Sequence, residues 1–231
     1  MNQNKNLKYF YNKVYIKGEK KHFTIKREST SLSEIKEVLK QVSWKNKKVL
    51  DVGCGTGLFA YNAAKKGATV LGIDFSTEAI EIANSQYTHK NLKFQSMDVN
   101  EIKEKFDVIV SNGTLEHMDN PLKSLKLFKK HLTTNGCIIT TSPNWSNPRG
   151  YMLMPLLLLF NAPITLADLH YFTPVDFKNF SKKLDMSLSW KTFDKSWSHG
   201  DILVEDFKKR LPNVLRDSNL PNNKKNVDLL I

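Results

Sequence analysis

From residue 45 to residue 141, short apolar runs alternate with longer stretches in which apolar positions recur every three or four residues. The short runs have the length of strands, and the longer stretches have the period of amphipathic helices. The run at 106–110 is almost wholly apolar, as expected for a strand covered on both faces. Residues 186–193 alternate between apolar and polar, which indicates a further strand. We expect strands at 48–52, 69–73, 92–95, 106–110, 136–141 and 186–193, and a closing strand at 227–231.

Capping residues mark where the helices begin and end. Ser31 and Glu34 have the spacing of a capping box, so a helix is expected to begin at Ser31. A second helix is expected at 58–66, closed by Gly67. Further helices are expected after Ser76, Asn120 and Thr173, the last two of which are each followed by a proline.

Strands that alternate with helices predict an α/β fold, built on a doubly wound, mostly parallel sheet of seven strands. We expect four parts in the chain. These are a basic N-terminal extension with a helix (1–44), a core (45–142), an apolar insert after the fifth strand (143–172), and the rest of the sheet with a tail (173–231). Ligands of doubly wound sheets bind beyond the carboxyl ends of the strands, so candidate functional residues are expected there.

The string Asp-Val-Gly-Cys-Gly-Thr-Gly at 51–57 follows the first strand and opens the next helix. Glycines at 53 and 55 allow a tight turn and a close approach of the backbone to a ligand. A dinucleotide fingerprint beginning at Gly53 would need a glycine at position 58, which is leucine. The spacing is instead G-x-G-x-G, with an acid two residues before the first glycine.

This string resembles motif I of the class I S-adenosylmethionine-dependent methyltransferases, and the resemblance extends from about residue 45 to residue 190. It implies a Rossmann-like fold, S-adenosyl-L-methionine as cofactor, and 45–142 as the cofactor-binding core. Asp74 is expected to accept hydrogen bonds from the ribose hydroxyls, and Asp98 to reach the adenine amino group. Phe75 and Met97 are expected to flank the adenine ring. The full set of expected cofactor residues is Asp51, Gly53, Cys54, Gly55, Gly57, Asp74, Phe75, Met97, Asp98, Val99, Ser111 and Asn112.

The segment Leu-Glu-His at 115–117, with proline at 121, resembles small-molecule methyltransferases, above all the ubiquinone-biosynthesis O-methyltransferase-like group. Some of those enzymes carry a metal-binding glutamate three residues before the Leu-Glu-His glutamate. That position is Gly113 here, so no metal is expected. His117 is expected to contact substrate or to act as a base, since a histidine can take a hydroxyl proton near neutral pH. His170 resembles a second family histidine, and catalysis and a purely structural role are equally open for it.

Three hypotheses on function follow from these motifs. The first is O-methylation of a small or lipid-like acceptor. The second is N-methylation or an RNA-directed reaction. The third is cofactor binding without catalysis. The Asn/Asp-Pro-Pro-Tyr motif of base-amino methylation is absent after the fourth strand, so a nucleic-acid substrate is not expected. Cys137, which lies in an apolar strand, is expected to be a core residue and not a nucleophile.

The net charge of +12 comes mainly from the first 48 residues, which contribute +9, whereas 49–142 is neutral and 143–231 contributes +3. A basic arm suits an anionic membrane or a phosphorylated acceptor as well as RNA. The apolar run 151–160 is too short to span a bilayer, which takes about 20 residues. It is expected to be an ordinary buried helix, or a lid that favours a hydrophobic acceptor and touches a membrane surface. Two cysteines and no apolar leader predict a cytoplasmic protein, peripheral at most to the inner membrane face.

Overall fold

The computed structural model describes residues 27–162, 164–165, 168–193 and 200–231, and the fold below concerns these residues. Its strands are β1 (Lys48–Val52), β2 (Thr69–Asp74), β3 (Leu92–Ser96), β4 (Phe106–Asn112) and β5 (Leu132–Thr141). Its α-helices are α1 (Arg27–Val38), α2 (Leu58–Lys65), α3 (Thr77–Gln86), α4 (Pro121–Lys130), α5 (Pro148–Phe160), α6 (Pro174–Leu184), α7 (Gly200–Asp217) and α8 (Lys224–Leu230). Short 3₁₀ helices occupy Val99–Glu101 and Leu115–His117.

The five strands form one parallel sheet in the order β3-β2-β1-β4-β5. The order reverses direction between β1 and β4, because β1 pairs with both β2 and β4. Such a switch point leaves a crevice at the carboxyl ends of the strands, where ligands of this architecture bind. The predicted α/β, Rossmann-like class is therefore confirmed, and the first five predicted strands are all present.

Three of the predicted helix starts after residue 45 are confirmed by their caps. The Ser76 hydroxyl accepts a hydrogen bond from the Ala79 N–H, and the Asn120 side chain accepts one from the Lys123 N–H. Thr173 forms a capping box with Asp176 at the start of α6. Each cap satisfies an N–H group that would otherwise have no partner at the helix start.

Three expectations about the two ends of the chain were wrong. In the described residues the sheet has five strands, so the expected count of seven is not confirmed. Residues 186–193 form neither helix nor strand, and 227–231 falls mostly in helix α8. Helix α1 already includes Arg27, the first described residue, so Ser31 lies within the helix and does not begin it. A short apolar run cannot be assigned to strand or helix by its pattern alone, because the outcome depends on what it packs against.

Buried side chains form three clusters. Two lie on opposite faces of the sheet, one against α2 and α3 and the other against α4 and α6. Cys137 packs against the first of these, as predicted. The third cluster joins α5, α7 and α8, which we call the helical cap, and includes Trp145, Leu153, Phe207 and Leu211. No helix in the described part of the chain is both long and apolar enough to cross a membrane.

Candidate active site at the carboxyl ends of the strands

The glycine-rich turn between β1 and α2 has a backbone that only glycine tolerates at two positions. Gly53 has a φ of 71°, and a Cβ there would lie 2.4 Å from Thr114 Cγ2. Gly57 has a φ of 86°, and a Cβ there would lie 2.4 Å from the ring of Phe94. The Gly53 and Cys54 N–H groups both donate to the Ile73 carbonyl, which fixes the turn against β2. The motif therefore brings bare backbone to the switch point of the sheet.

Asp74, the last residue of β2, is held by backbone donors on both oxygens. Gly55 N–H donates to Oδ2 over 3.0 Å, and Ser76 N–H donates to Oδ1 over 2.9 Å. Burial raises the pKa of Asp74, while hydrogen bonds from the Ser76, Gly55 and Phe75 backbone act in the opposite direction. The carboxylate thus has a fixed orientation beside the glycine turn.

Asp51, at the end of β1, is 1% exposed, and its Oδ2 makes no hydrogen bond within the described residues. Burial, together with the nearby charge of Asp74, raises its pKa to about 8. An uncompensated polar atom in the interior of a protein costs free energy unless a ligand or water satisfies it. A polar ligand at this turn can therefore supply the hydrogen bond that Asp51 Oδ2 lacks.

A cavity of about 860 Å³ opens at the carboxyl ends of β1, β2 and β3. Its size is within the range of small-molecule and cofactor sites. The backbone of Gly53, side chains at the ends of β2 and β3, and side chains from the segment after β4 line it together. Of the residues predicted from the sequence, its lining contains Gly53, Asp74, Phe75, Met97, Asp98, Val99 and His117.

Asp98 lies on the cavity wall and also caps the 3₁₀ helix Val99–Glu101. Its Oδ1 accepts hydrogen bonds from the Asn100 N–H over 2.8 Å and from the Asn100 side chain. The Glu101 side chain in turn accepts from the Asp98 N–H. The carboxyl group is exposed, so it can contact a ligand while it serves as a cap.

Other predicted cofactor residues lie behind the cavity wall. Ser111 is buried at the end of β4, and neither its hydroxyl nor the side-chain amide of Asn112 has a hydrogen-bond partner in the described residues. The Cys54 thiol has a raised pKa because it is buried and because Asp51 and Asp74 are close. Cys54 therefore contributes to packing behind the turn, as a protonated thiol.

His117 and His170 occupy different environments. His117 lines the cavity, and its Nδ1 lies 3.5 Å from Asp168 Oδ1. His170 Nε2 lies 2.8 Å from the Met118 carbonyl oxygen, and its ring stacks on Phe172. Because a carbonyl only accepts hydrogen bonds, His170 Nε2 carries the donated proton and cannot act as a base there. The geometry favours the structural alternative for His170.

The sequence reasoning missed several residues that the structure brings to this region. Asp168 lies two positions before His170, but an isolated acid in a loop gives no signal. Glu116 was not missed, since it belongs to the Leu-Glu-His segment recognised in the sequence. It is 2% exposed, and burial, with the charges of Asp168 and Glu34, raises its pKa well above the ordinary value. Three lysines of α4 also line the cavity: Lys123, Lys126 and Lys130. Their spacing of three and four residues places them on one helix face and could have identified them.

The residues present fit S-adenosylmethionine as a ligand. The cavity has room for it, the glycine turn offers backbone without side chains, and Asp51 and Asn112 hold buried polar atoms with no partner in the described part. For a metal the fit is poor, because no group of three or more His, Cys, Asp or Glu side chains in that part could hold an ion.

Comparison with known proteins agrees with this site. A family model described as a methyltransferase domain matches residues 43–170. Over 118 residues the chain is 36% identical to the ubiquinone biosynthesis O-methyltransferase of Haemophilus ducreyi, covering 47% of this chain and 50% of the relative. The corresponding enzyme of Coxiella burnetii is 35% identical over 97 residues, or 40% of this chain and 42% of the relative. The chain thus matches half or less of the length of these curated relatives.

The fold is also found among solved structures. The chain superposes on magnesium protoporphyrin IX methyltransferase from Synechocystis, which was solved with bound S-adenosylhomocysteine. The TM-score is 0.63 at 15% identity, with 85% of this chain and 95% of that one covered. At this identity the similarity concerns the fold alone. The family match covers more than half of the sequence. It includes the glycine turn, Asp51 and Asp74 at the ends of β1 and β2, and His117. The chain belongs to the class I S-adenosylmethionine-dependent methyltransferases, and its cofactor is S-adenosyl-L-methionine.

Proposed function

We propose that this protein transfers a methyl group from S-adenosylmethionine to a hydroxyl oxygen of a small or lipid-like acceptor. The observation that carries the proposal is the position of His117, which lines the same cavity as Asp74 and the glycine turn. An imidazole there can take a proton from a hydroxyl placed beside the cofactor. The relatives named as ubiquinone biosynthesis O-methyltransferases act on oxygen, which favours an oxygen acceptor here too.

In this proposal the cofactor is held by residues at the carboxyl ends of four neighbouring strands, β1 to β4. Asp74 accepts hydrogen bonds from the ribose hydroxyls, since its two oxygens are already oriented by the Gly55 and Ser76 N–H groups. Phe75 and Met97 flank the adenine ring, and Asp98 binds its amino group. The turn at 53–57 and the polar groups of Asp51, Ser111 and Asn112 contact the remainder. Bound S-adenosylmethionine supplies a methyl group activated on a sulfonium.

The protein's own contribution is orientation, exclusion of water and proton removal. Apolar cavity walls formed by Val52, Ile73, Met118 and Leu127 limit the water around the acceptor. His117 would remove the hydroxyl proton as the oxygen bonds to the methyl carbon, with the cofactor sulfur as the leaving group. Holding acceptor and base in one cavity replaces a bimolecular encounter, which lowers the entropic part of the barrier.

Helix α5 supports a lipid-like acceptor and a peripheral membrane contact. Leu158 and Leu159 are 74% and 73% exposed, and Tyr151 and Phe160 are also largely exposed. Exposed apolar side chains concentrated on one helix are typical of membrane or ligand contact. A protein at the inner membrane face would receive its acceptor directly from the bilayer.

The test is transfer of label from tritiated S-adenosylmethionine to separated cell fractions: apolar lipids, polar small molecules, RNA and protein. We expect a labelled methyl ether in the lipid or small-molecule fraction. Label only in RNA or protein, label on nitrogen, or no label in any fraction would each overturn the proposal.

Two variants make the assay specific to the site. His117→Ala should lower kcat by about 10²-fold or more, since a positioned base contributes about 10²- to 10⁴-fold. His89→Ala is the matched control. His89 lies in the loop before β3, outside the cavity, where its Nδ1 accepts a hydrogen bond from the Asn91 N–H. That variant should retain activity.

A further inference from the structure

Asp168 lies directly behind the ring of His117. Its Oδ1 is 3.5 Å from His117 Nδ1, and the two side chains are 12% and 16% exposed. The cavity borders His117 but not Asp168. The carboxylate is therefore placed to act on the imidazole and not on the acceptor.

Three hydrogen bonds hold the loop of Asp168 against the segment of His117. The Glu116 carbonyl accepts from the N–H groups of Leu169 and His170, over 2.9 and 3.1 Å. The His170 ring donates to the Met118 carbonyl. These bonds connect the residues on either side of His117 to the two that follow Asp168. His170, which the sequence suggested as a catalytic residue, therefore helps to hold the Asp168 loop against the His117 segment.

The charges around Asp168 are consistent with a carboxylate at this place. Burial lowers the pKa of Arg149 on α5, and the charge of Asp168 is close enough to act in the opposite direction. Glu116 has a pKa raised well above its ordinary value, chiefly by burial and also by Asp168. The Tyr171 pKa is also raised, mainly by burial and in smaller part by Asp168. A protonated Glu116 adds no negative charge beside Asp168, while Arg149 supplies a positive one.

We propose that Asp168 is a positioning residue that accepts a hydrogen bond from the Nδ1–H of His117, so that the Nε2 lone pair faces the cavity. The inference rests on the proposed role of His117 as base. A neutral imidazole carries its proton on one nitrogen, and the hydrogen bond made by that nitrogen selects the tautomer. A separation of 3.5 Å is compatible with this contact, because catalytic hydrogen bonds are often long in proteins without bound ligands.

The first test is ¹⁵N NMR of the histidine rings in the full chain without cofactor or substrate. The protein has 6 histidines, and the His117 signals are assigned by their loss in His117→Gln. We expect the neutral His117 ring to carry its proton on Nδ1 in the wild type. Asp168→Ala should move the ring towards the Nε2–H form. A wild-type ring protonated on Nε2, or no change in the variant, overturns the proposal even if methyl transfer is established.

The second test is kinetic and uses the conservative variant Asp168→Asn. We expect kcat to fall by about 10- to 10²-fold, because replacing a group that acts through the base costs less than replacing the base itself. KM should change little, since Asp168 does not border the cavity. In the double variant with His117→Ala, the second substitution should have no further effect. Multiplicative losses would show an independent structural role and contradict the proposal.

Asp217→Asn is the matched control for this series. Asp217 forms an exposed ion pair with Arg216 on α7, and its replacement should leave kcat unchanged. Unchanged binding of S-adenosylmethionine by Asp168→Asn, measured by calorimetry, shows that the fold and cofactor site are intact. If no acceptor is ever methylated, the proposed function fails, and the tautomer measurement still decides the position of the proton.

Discussion

Buried carboxyl groups have raised pKa values in the sheet and a lowered pKa in the helical cap. At the ends of β1 and β2, Asp51 and Asp74 have raised pKa values, and Asp74 is held by backbone N–H groups. In the cap, Asp206 accepts hydrogen bonds from Arg149 and Arg210. Burial alone would raise its pKa, but the hydrogen bond and charges of the two guanidinium groups keep it below the ordinary value.

This difference distinguishes carboxyl groups that can still bind a ligand from carboxyl groups whose hydrogen bonds are made within the fold. Asp51 keeps an oxygen without a partner in the described residues, so a polar ligand at the sheet can satisfy it. Both oxygens of Asp206 accept hydrogen bonds: Oδ2 accepts from Arg149 of α5 and so connects α5 to α7, and Oδ1 accepts from Arg210. Arg210 also donates to the Ile164 carbonyl. Ligand binding is therefore expected at the sheet, whereas the ion pairs of the helical cap hold the apolar helix α5 in place.

Removing a guanidinium group from the helical cap should have the largest effect on the free energy of unfolding. Arg210→Met leaves Asp206 buried with Arg149 alone, and breaking a buried pair in this way costs about 3 kcal/mol. We expect the free energy of unfolding, measured with urea, to fall by that amount. Amide hydrogen exchange should rise in α5, α7 and α8 and not in the sheet.

Arg216→Met is the control for that change, since its pair with Asp217 is exposed and contributes about 1 kcal/mol at most. Equal losses in the two variants would mean that the buried network does not hold the cap. Loss of protection throughout the sheet in Arg210→Met would remove the distinction between the two regions.

A Cβ in the glycine turn should disturb the sheet and its site together. Gly53→Ala combines a φ of 71° with a contact of 2.4 Å to Thr114, and we expect a loss of about 2 kcal/mol with weaker cofactor binding. Gly67→Ala is the matched control, because Gly67 has a φ of 92° but its nearest contact would be 3.4 Å, at Lys45. It should lose stability yet keep its cofactor affinity. Weaker binding in both variants would mean that the turn at 53–57 has no special role.

The raised pKa of Asp51 predicts how the unbound protein responds to pH. The folded protein retains a proton on Asp51 up to a pKa of about 8, against 3.8 for the ordinary carboxyl group. The folded state binds more protons between these values, so Asp51 makes stability decrease as pH rises through that window, by up to about 1.4 kcal/mol per pH unit.

Asp51→Asn should remove this contribution and flatten the dependence of the urea midpoint on pH. Asp107 gives the comparison, because the Lys48 N–H hydrogen bond lowers its pKa. Its contribution is lost only as pH falls through its lowered pKa, so Asp107→Asn should leave the slope between pH 5 and 8, a range of about three units, unchanged. An identical slope in wild type and Asp51→Asn would show that Asp51 is ionised in the folded protein.

The smallest effect on stability is expected at the exposed face of α5. Leu158→Ser with Leu159→Ser should change the free energy of unfolding by less than about 0.5 kcal/mol per substitution, since both side chains are exposed. Co-sedimentation with anionic phospholipid vesicles should nevertheless fall. Unchanged vesicle binding would argue against α5 as the membrane contact, and a large loss of stability would show that this face is packed.

The sequence predicted the sheet well because its signals are local. The apolar runs between residues 48 and 141, the caps Ser76 and Asn120 and the glycine turn each act within a few residues, and these appear where expected. Several expected cofactor residues line one cavity for the same reason, since each follows the end of a parallel strand. Their role in binding the cofactor stays a prediction.

The cap and the ends of the chain depend on distant partners, which no local pattern contains. Arg149 and Asp206 are 57 positions apart, and Asp168 reaches His117 across 51 positions. The pattern at 227–231 predicts a strand, but the Asn223 side chain accepts from the Asn226 N–H and starts helix α8 there. Residues 186–193 alternate as a strand would, yet they pair with none of the five strands. The expected division at 44, 142 and 172 stays a prediction.

Calorimetric titration of S-adenosylmethionine into the wild type and Asp74→Ala tests the cofactor site most directly. Asp107→Ala is the control, since Asp107 also accepts a backbone N–H, from Lys48, but near the amino end of β4. We predict that the wild type and Asp107→Ala bind alike. Asp74→Ala, with an unchanged circular dichroism spectrum, should bind at least about 100-fold more weakly through the loss of two charge-assisted hydrogen bonds. Wild-type affinity in Asp74→Ala would contradict the assignment of this cavity as the cofactor site.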